Sequence, residues 1–144
     1  MLLLRDVGET NFLVGRVSKR QLGTVTVLVD EQLPVCVSYD DEIRLNSIVT
    51  LVVRPENAAI LAANSDESVQ GRVEETVYIG TDTRYIVRLT EQSCITVRSQ
   101  NLHSSNLHKF TAGDIVKVKL PPDSIRILTE DASSYSAYNR QNVK

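Results

Sequence analysis

Apolar residues recur along this chain in short runs of period two, not of period 3.6. In Tyr85-Ile86-Val87-Arg88-Leu89 and Ile115-Val116-Lys117-Val118-Lys119-Leu120, apolar and polar positions partly alternate, as on a strand with one buried face. Reading each such β-branched run as a strand gives eight segments: 11–19, 24–30, 34–39, 48–53, 69–79, 84–90, 94–99 and 115–120. Turn residues separate them at Leu22-Gly23, Asp40-Asp41-Glu42, Gly80-Thr81-Asp82 and Ala112-Gly113-Asp114. The pattern contains no long amphipathic helix. Glu56 to Leu61 and Asp123 to Leu128 each follow a proline and predict a helical turn or a short strand.

The strands repeat. Gly15-Arg16-Val17 recurs as Gly71-Arg72-Val73, 56 positions on. Val27, Glu31-Gln32 and Val37 recur as Val87, Glu91-Gln92 and Val97, 60 positions on. Ile48-Val49, Pro55 and Ile60-Leu61 recur as Ile115-Val116, Pro122 and Ile127-Leu128, 67 positions on. The separations only grow, as a duplication with two loop insertions requires. The larger insertion falls at Gln100 to Phe110. The chain therefore divides into a lead-in (1–10), a first β repeat (11–62), a second β repeat (68–128) and a polar tail (129–144). A unit of roughly 50–60 residues is marginal alone, so two copies would share one core. Gly15 and Gly71, inside strand patterns, predict bulges or bends that let a strand curl. The expected fold is all-β: an OB-like or MOP-like, partly open barrel built from two tandem β units, with a β-sandwich as the alternative.

Composition narrows the function. With 42% hydrophobic and 24% charged residues among 144, the chain is an ordinary globular one, which excludes disorder and a disulfide scaffold. Its net charge of −2 lacks the basic surplus of a duplex-DNA binder. Arg84-Tyr85 and Arg72 with Tyr78 are the best local stacking candidates, and no nucleic acid is expected. No run of 18 apolar residues exists, so no helical span is predicted. Met1 to Asp6 lacks the parts of a signal peptide; Leu2 to Leu4 suggest packing or a chain cut from a longer one. Cys36 and Cys94 lie in β-branched runs and read as reduced core or strand thiols. His103 and His108 read as surface residues, and Asp40-Asp41-Glu42 as a solvated turn. Phosphate-loop, dinucleotide, zinc-protease and nucleophile-elbow motifs are absent from the sequence. The chain reads as non-catalytic and without a metal or cofactor of its own.

Several of these words combine into a resemblance. Gly8-Glu9-Thr10-Asn11-Phe12-Leu13…Gly15-Arg16-Val17 resembles the segment after the ATPase domain in ABC importer ATP-binding subunits. Val52-Val53-Arg54-Pro55-Glu56 resembles the central "V-R-P-E" word of their transport-associated OB (TOBE) domain. Gly71-Arg72-Val73…Tyr78-Ile79-Gly80…Thr83-Arg84-Tyr85 and Gln100-Asn101…Phe110…Gly113-Asp114…Leu128 resemble its later strands. The spermidine/putrescine subgroup is the most alike. The resemblance implies a regulatory and association domain on the cytoplasmic side of a bacterial importer, peripheral to the inner face of the membrane. Its implied partners are the ATPase domain, which would hold ATP and magnesium, a second copy of the subunit and, indirectly, the permease. It also implies a small-solute ligand and allows a homodimer.

Physical roles follow for the matched residues. Pro55 would end the fourth strand, since it cannot donate to a ladder. Arg54 and Glu56 flank it as a structural ion pair or clamp in preference to a ligand contact. Arg72 follows the second repeat's glycine. Gly80 is expected to supply a positive-φ turn. Thr83 and Arg84 would open the next strand on a solvated edge. Gln100 and Asn101, at the inserted loop, would bind an oxyanion or solute or cap a local turn. The rival reading is a stand-alone oxyanion binder, for molybdate for example, using Ser47, Thr50, Ser99 and Lys119.

Overall fold

The computed structural model describes residues 10–100 and 110–129. It forms ten strands: β1 (Asn11–Gln21), β2 (Thr24–Val29), β3 (Leu33–Ser38), β4 (Ile48–Val53), β5 (Ala59–Ala62), β6 (Val69–Ile79), β7 (Asp82–Arg88), β8 (Cys94–Gln100), β9 (Ile115–Lys119) and β10 (Arg126–Thr129). The eight strands expected from the alternation are all present, their ends displaced by two residues at most. The two post-proline segments hold both expected structures in succession. A 3-10 turn comes first (Pro55–Asn57, Pro122–Ser124), then a strand, β5 or β10. Proline suits the start of such a turn because its φ is fixed and no N–H is wanted there.

The strands make two antiparallel five-stranded sheets, in the orders β10-β4-β1-β2-β3 and β5-β9-β6-β7-β8. The orders are the same once one exchange is allowed. β5, which ends the first half, pairs with β9 of the second (Ile60 opposite Val118). β10, which ends the second half, pairs with β4 of the first (Ile127 opposite Leu51). Each half thus completes the other's sheet.

The repeat is visible in backbone detail. Val17 N–H donates to Ser47 (2.9 Å) and accepts at its carbonyl from Asn46 N–H (2.7 Å); Val73 does the same with Asp114 (2.9 Å) and Gly113 (2.7 Å). Asn46 and Gly113 occupy matching positive-φ positions, at 71° and 97°. The register of β1 slips between Val17 and Lys19, and that of β6 between Val73 and Glu75. The extra residue bends each strand. One eleven-residue strand can then serve two neighbours: β1 meets β4 up to Arg16 and β2 from Gly15 onward. Gly15 and Gly71 lie before these bulges, not in them, and their role is close approach.

Leu13, Val27 and Leu51 of one sheet and Val87, Ile95 and Val118 of the other belong to a single buried cluster. Each such side chain contributes about 1.5–3 kcal/mol on burial. Polar links stitch the sheets together. The Asn11 amide donates to Thr96 O and accepts from Thr96 N–H, both at 2.8 Å. The Asp30 carboxylate accepts from the hydroxyls of Thr90 (2.5 Å) and Ser93 (2.6 Å). Thr90 lies 60 positions after Asp30 and is its repeat counterpart, so this contact joins equivalent positions of the two halves. Cys36 and Cys94 lie on strands but are exposed; they are not core residues, because their neighbours Val35, Val37 and Ile95 take the inward positions.

Tyr85 is 3% exposed and meets Phe110 edge-on, 5.9 Å between centroids. Burial pushes its phenol above the ordinary value, and a hydrogen bond with the Phe110 backbone pulls it partly back. The unfolded chain then ionises first, at about pH 10. Stability is therefore full below that pH and falls above it. Urea midpoints measured from pH 8 to 11 are expected to drop in the wild type. Tyr85→Phe should flatten that drop; an unchanged alkaline slope would count against this assignment.

Candidate functional site

β5 and β8 lie at opposite ends of their sheet order. The sheet curls so that they approach without pairing, and a groove of about 580 Å³ runs between them. The 3-10 turn supplies one wall. Pro55 is buried, Arg54 O accepts from Asn57 N–H (2.9 Å), and Glu56 is left exposed at the groove with Ala59 and Ile60. β8 supplies the other wall. Val97 points into the core, and Arg98, Ser99 and Gln100 line the groove. Arg98 is fixed from behind: its Nε lies 2.7 Å from Asp82 Oδ2, on a carboxylate whose side chain is only 12% exposed. A charge-assisted bond to a shielded partner holds a guanidinium better than an exposed one would. The groove therefore offers a carboxylate, a positioned guanidinium, a hydroxyl and an amide. That set has the charge and hydrogen-bonding groups to suit a small polar molecule.

The other sheet shows what the seam looks like when closed. Ser38 and Asp123 are the repeat counterparts of Arg98 and Glu56, by the separations 60 and 67. There the Ser38 hydroxyl bonds directly to the Asp123 carboxylate. In the second seam Arg98 turns to Asp82 instead, and no such latch holds Glu56 among the described residues.

The remaining candidates are scattered. Glu56 and Gln100 meet in the groove, but no ion pair joins Arg54 to Glu56 among the described residues; both are exposed. Arg72 is exposed on β6 opposite Arg88. Arg88 bonds Glu74 at 2.9 Å, and that bond holds the Glu74 carboxyl below its ordinary value. Gly80 takes φ 57° in the β6–β7 turn, as expected. Thr83 is not on a solvated edge: β7 runs between β6 and β8, and Thr83 is 1% exposed opposite Ser99. Arg84 is half-buried opposite Val77 and Arg98. Thr50 belongs to one sheet, with Ser47 just before its strand β4, and Ser99 and Lys119 belong to the other. Asn101, His103 and His108 lie outside the described residues. Sequence reasoning missed Asp82 and Arg98. Asp82 was read as a turn residue, yet it opens β7 opposite Gln100.

No group of His, Cys, Asp and Glu able to hold a metal occurs among the described residues, and none of their helices is long and apolar enough to cross a membrane. The fold resembles that of ModG, a cytoplasmic molybdate-binding protein solved with molybdate bound: TM-score 0.69, 13% identity, covering 83% of this chain and 95% of that one. The chain is 32% identical over 124 residues to the spermidine/putrescine import ATP-binding protein PotA of Mesorhizobium japonicum, covering 86% of this chain and 33% of that protein. It is 30% identical over 124 residues to PotA 1 of Pseudomonas aeruginosa, with the same coverage. It thus spans about a third of the length of these relatives. The family model for the TOBE domain matches residues 51–128, from the middle of β4 to β10, more than half of the sequence. The chain belongs to the TOBE domain family.

Proposed function

We propose that this chain acts as the non-catalytic regulatory and association domain of an ABC importer ATP-binding subunit for polyamines or related small solutes. The observation that carries the reading is the coverage: 86% of this chain aligns to only 33% of the PotA protein. In this reading ATP and magnesium belong to the ATPase domain, and transport is driven there. The domain works at the cytoplasmic face of the membrane, beside the second subunit and the permease. Its groove, with Glu56 opposite the Asp82-held Arg98, is the place where a solute would bias the assembly. The test is a chimaera in which this chain replaces the matching third of the Mesorhizobium japonicum protein. Uptake of labelled spermidine or putrescine should be restored in cells lacking their own importer. A chimaera that assembles with the permease yet moves no polyamine would overturn the reading.

The shared fold with a molybdate-binding protein supports a second reading, an oxyanion binder. It predicts heat on titrating the isolated chain with molybdate and none with spermidine. The first reading predicts no molybdate heat.

A further inference from the structure

The two seams differ in what fills them. In the first, Ile125 is 4% exposed and Tyr39 packs against the core. Their counterparts in the second, by the separations 67 and 60, are Ala58 and Ser99, and both line the β5–β8 groove. The first seam thus holds two large side chains where the second holds two small ones, and the Ser38–Asp123 hydrogen bond latches it. The groove is space that the same fold fills in its other half, so the fold itself does not require it open.

Both walls of the groove also present main chain. The Asn11 amide bonds both the N–H and the C=O of Thr96, at 2.8 Å each, so those two groups point away from β7. Antiparallel pairs alternate, so Arg98, two residues along β8, turns its own N–H and C=O the same way, toward the groove. On the facing strand the register gives the same result. Val73 exchanges bonds with Asp114 and Gly113, just before β9. Alternation from there turns Val116 and Val118 toward β6, and Lys117 and Lys119 toward β5. Leu61 and Ala59 meet those lysines, which leaves the N–H and C=O of Ile60 facing the groove. Among the described residues, no hydrogen bond outside the β7 and β9 ladders takes the main chain of Arg98 or Ile60.

We infer that the groove binds a free short peptide as an added piece of strand, its ammonium at Glu56 and its carboxylate at Arg98. Three features select this class. Asn11 shows that the β8 edge takes an amide through N–H and C=O together, and a peptide repeats that contact at Arg98. The charges match a zwitterion. Glu56 has no ion pair or hydrogen bond among the described residues. Arg98 gives only its Nε–H to Asp82, so its terminal N–H groups are left for an anion. A polyamine brings cations alone and meets the guanidinium as a like charge; an oxyanion meets Glu56 as one. Size is the third feature. At about 580 Å³ the groove suits a small organic molecule, and an inorganic oxyanion would leave most of it to water. The peptide is then a regulator distinct from the transported solute. Its regulatory use rests on the reading above, yet the two fail separately: transport is read on the chimaera, peptide binding on the chain alone.

Amide NMR shifts of the whole chain, titrated with trialanine, should report binding with Kd on the order of 0.1–1 mM. They should map to Glu56, Ile60 and Arg98. N-acetyl-trialanine amide lacks both charges and should bind about tenfold more weakly. Glu56→Gln should weaken free trialanine by about fivefold to tenfold and leave the blocked peptide unchanged. Ala58→Ile with Ser99→Tyr installs the residues the first seam carries and should abolish binding. Thermal unfolding checks the fold of that double variant; Glu56→Gln, at an exposed side chain, decides the matter if it does not fold. Spermidine and molybdate should leave these amides unmoved over the same range. No shift at about 10 mM trialanine overturns the inference. So does binding indifferent to both the blocking groups and Glu56→Gln, or spermidine moving the same amides at lower concentration.

Discussion

Gly15→Ala should destabilise the fold by about 3 kcal/mol and Gly71→Ala by about 2 kcal/mol, measured by urea denaturation. Neither glycine has positive φ, and in a strand of ordinary geometry alanine for glycine is usually mildly stabilising. Here there is no room. A Cβ on Gly15 would stand 2.6 Å from Val27 Cγ1 and 2.8 Å from the Leu28 carbonyl oxygen. On Gly71 it would stand 2.5 Å from Val87 Cγ1 and 3.0 Å from the Arg88 carbonyl oxygen. Valine is stiff at χ1, and the carbonyls belong to the next strand, so relief requires the paired strands to part. The carbonyl is closer at Gly15, which sets the ranking. Two variants as stable as the wild type would remove the steric account of the repeated Gly-Arg-Val word.

That word shows how the fold was and was not legible. Alternation and turn residues place the strands because each signal is local: Val25, Val27 and Val29 point one way and their neighbours the other. The growing separations of 56, 60 and 67 reveal two similar halves for the same reason. Partner choice is not local. Glu56 to Leu61 and Asp123 to Leu128 each read as a helical turn or a short strand, but nothing in either says that it completes the sheet of the other half. The glycines were read as bends. Their true constraint is a side chain and a carbonyl on the neighbouring strand, which only the register reveals.

The groove was half legible. Glu56 and Gln100 come from the words that resemble the family, and both line it. Arg98 and Asp82 carry no motif; they meet because β7 and β8 pair in a register that sets Asp82 opposite Gln100. Thr83 was misplaced because strand position in a sheet follows from pairing, not from its own polarity.

Ending the chain after Ser124 removes Ile125 and β10 and should cost about 4–6 kcal/mol relative to a chain ending after Thr129. Ile125 is 4% exposed and Ile127 packs against the core, and the ladder to β4 is lost with them. A loss of that size is comparable to the whole stability of an ordinary domain. The damage should appear in the wrong half of the sequence. β10 belongs to the second repeat, yet its partner β4 belongs to the first, so hydrogen exchange should accelerate in β4 at Thr50 and Val52, whose amides face β10. β9, whose partner β5 is untouched, should keep more of its protection. If β9 loses protection before β4, the exchanged pairing is wrong and each half completes its own sheet. If β4 opens first, the two repeats are bound by mutual strand donation. A change at one end of the chain then reaches the other through a shared ladder, and that is the route by which a ligand in the β5–β8 groove would be felt across the domain.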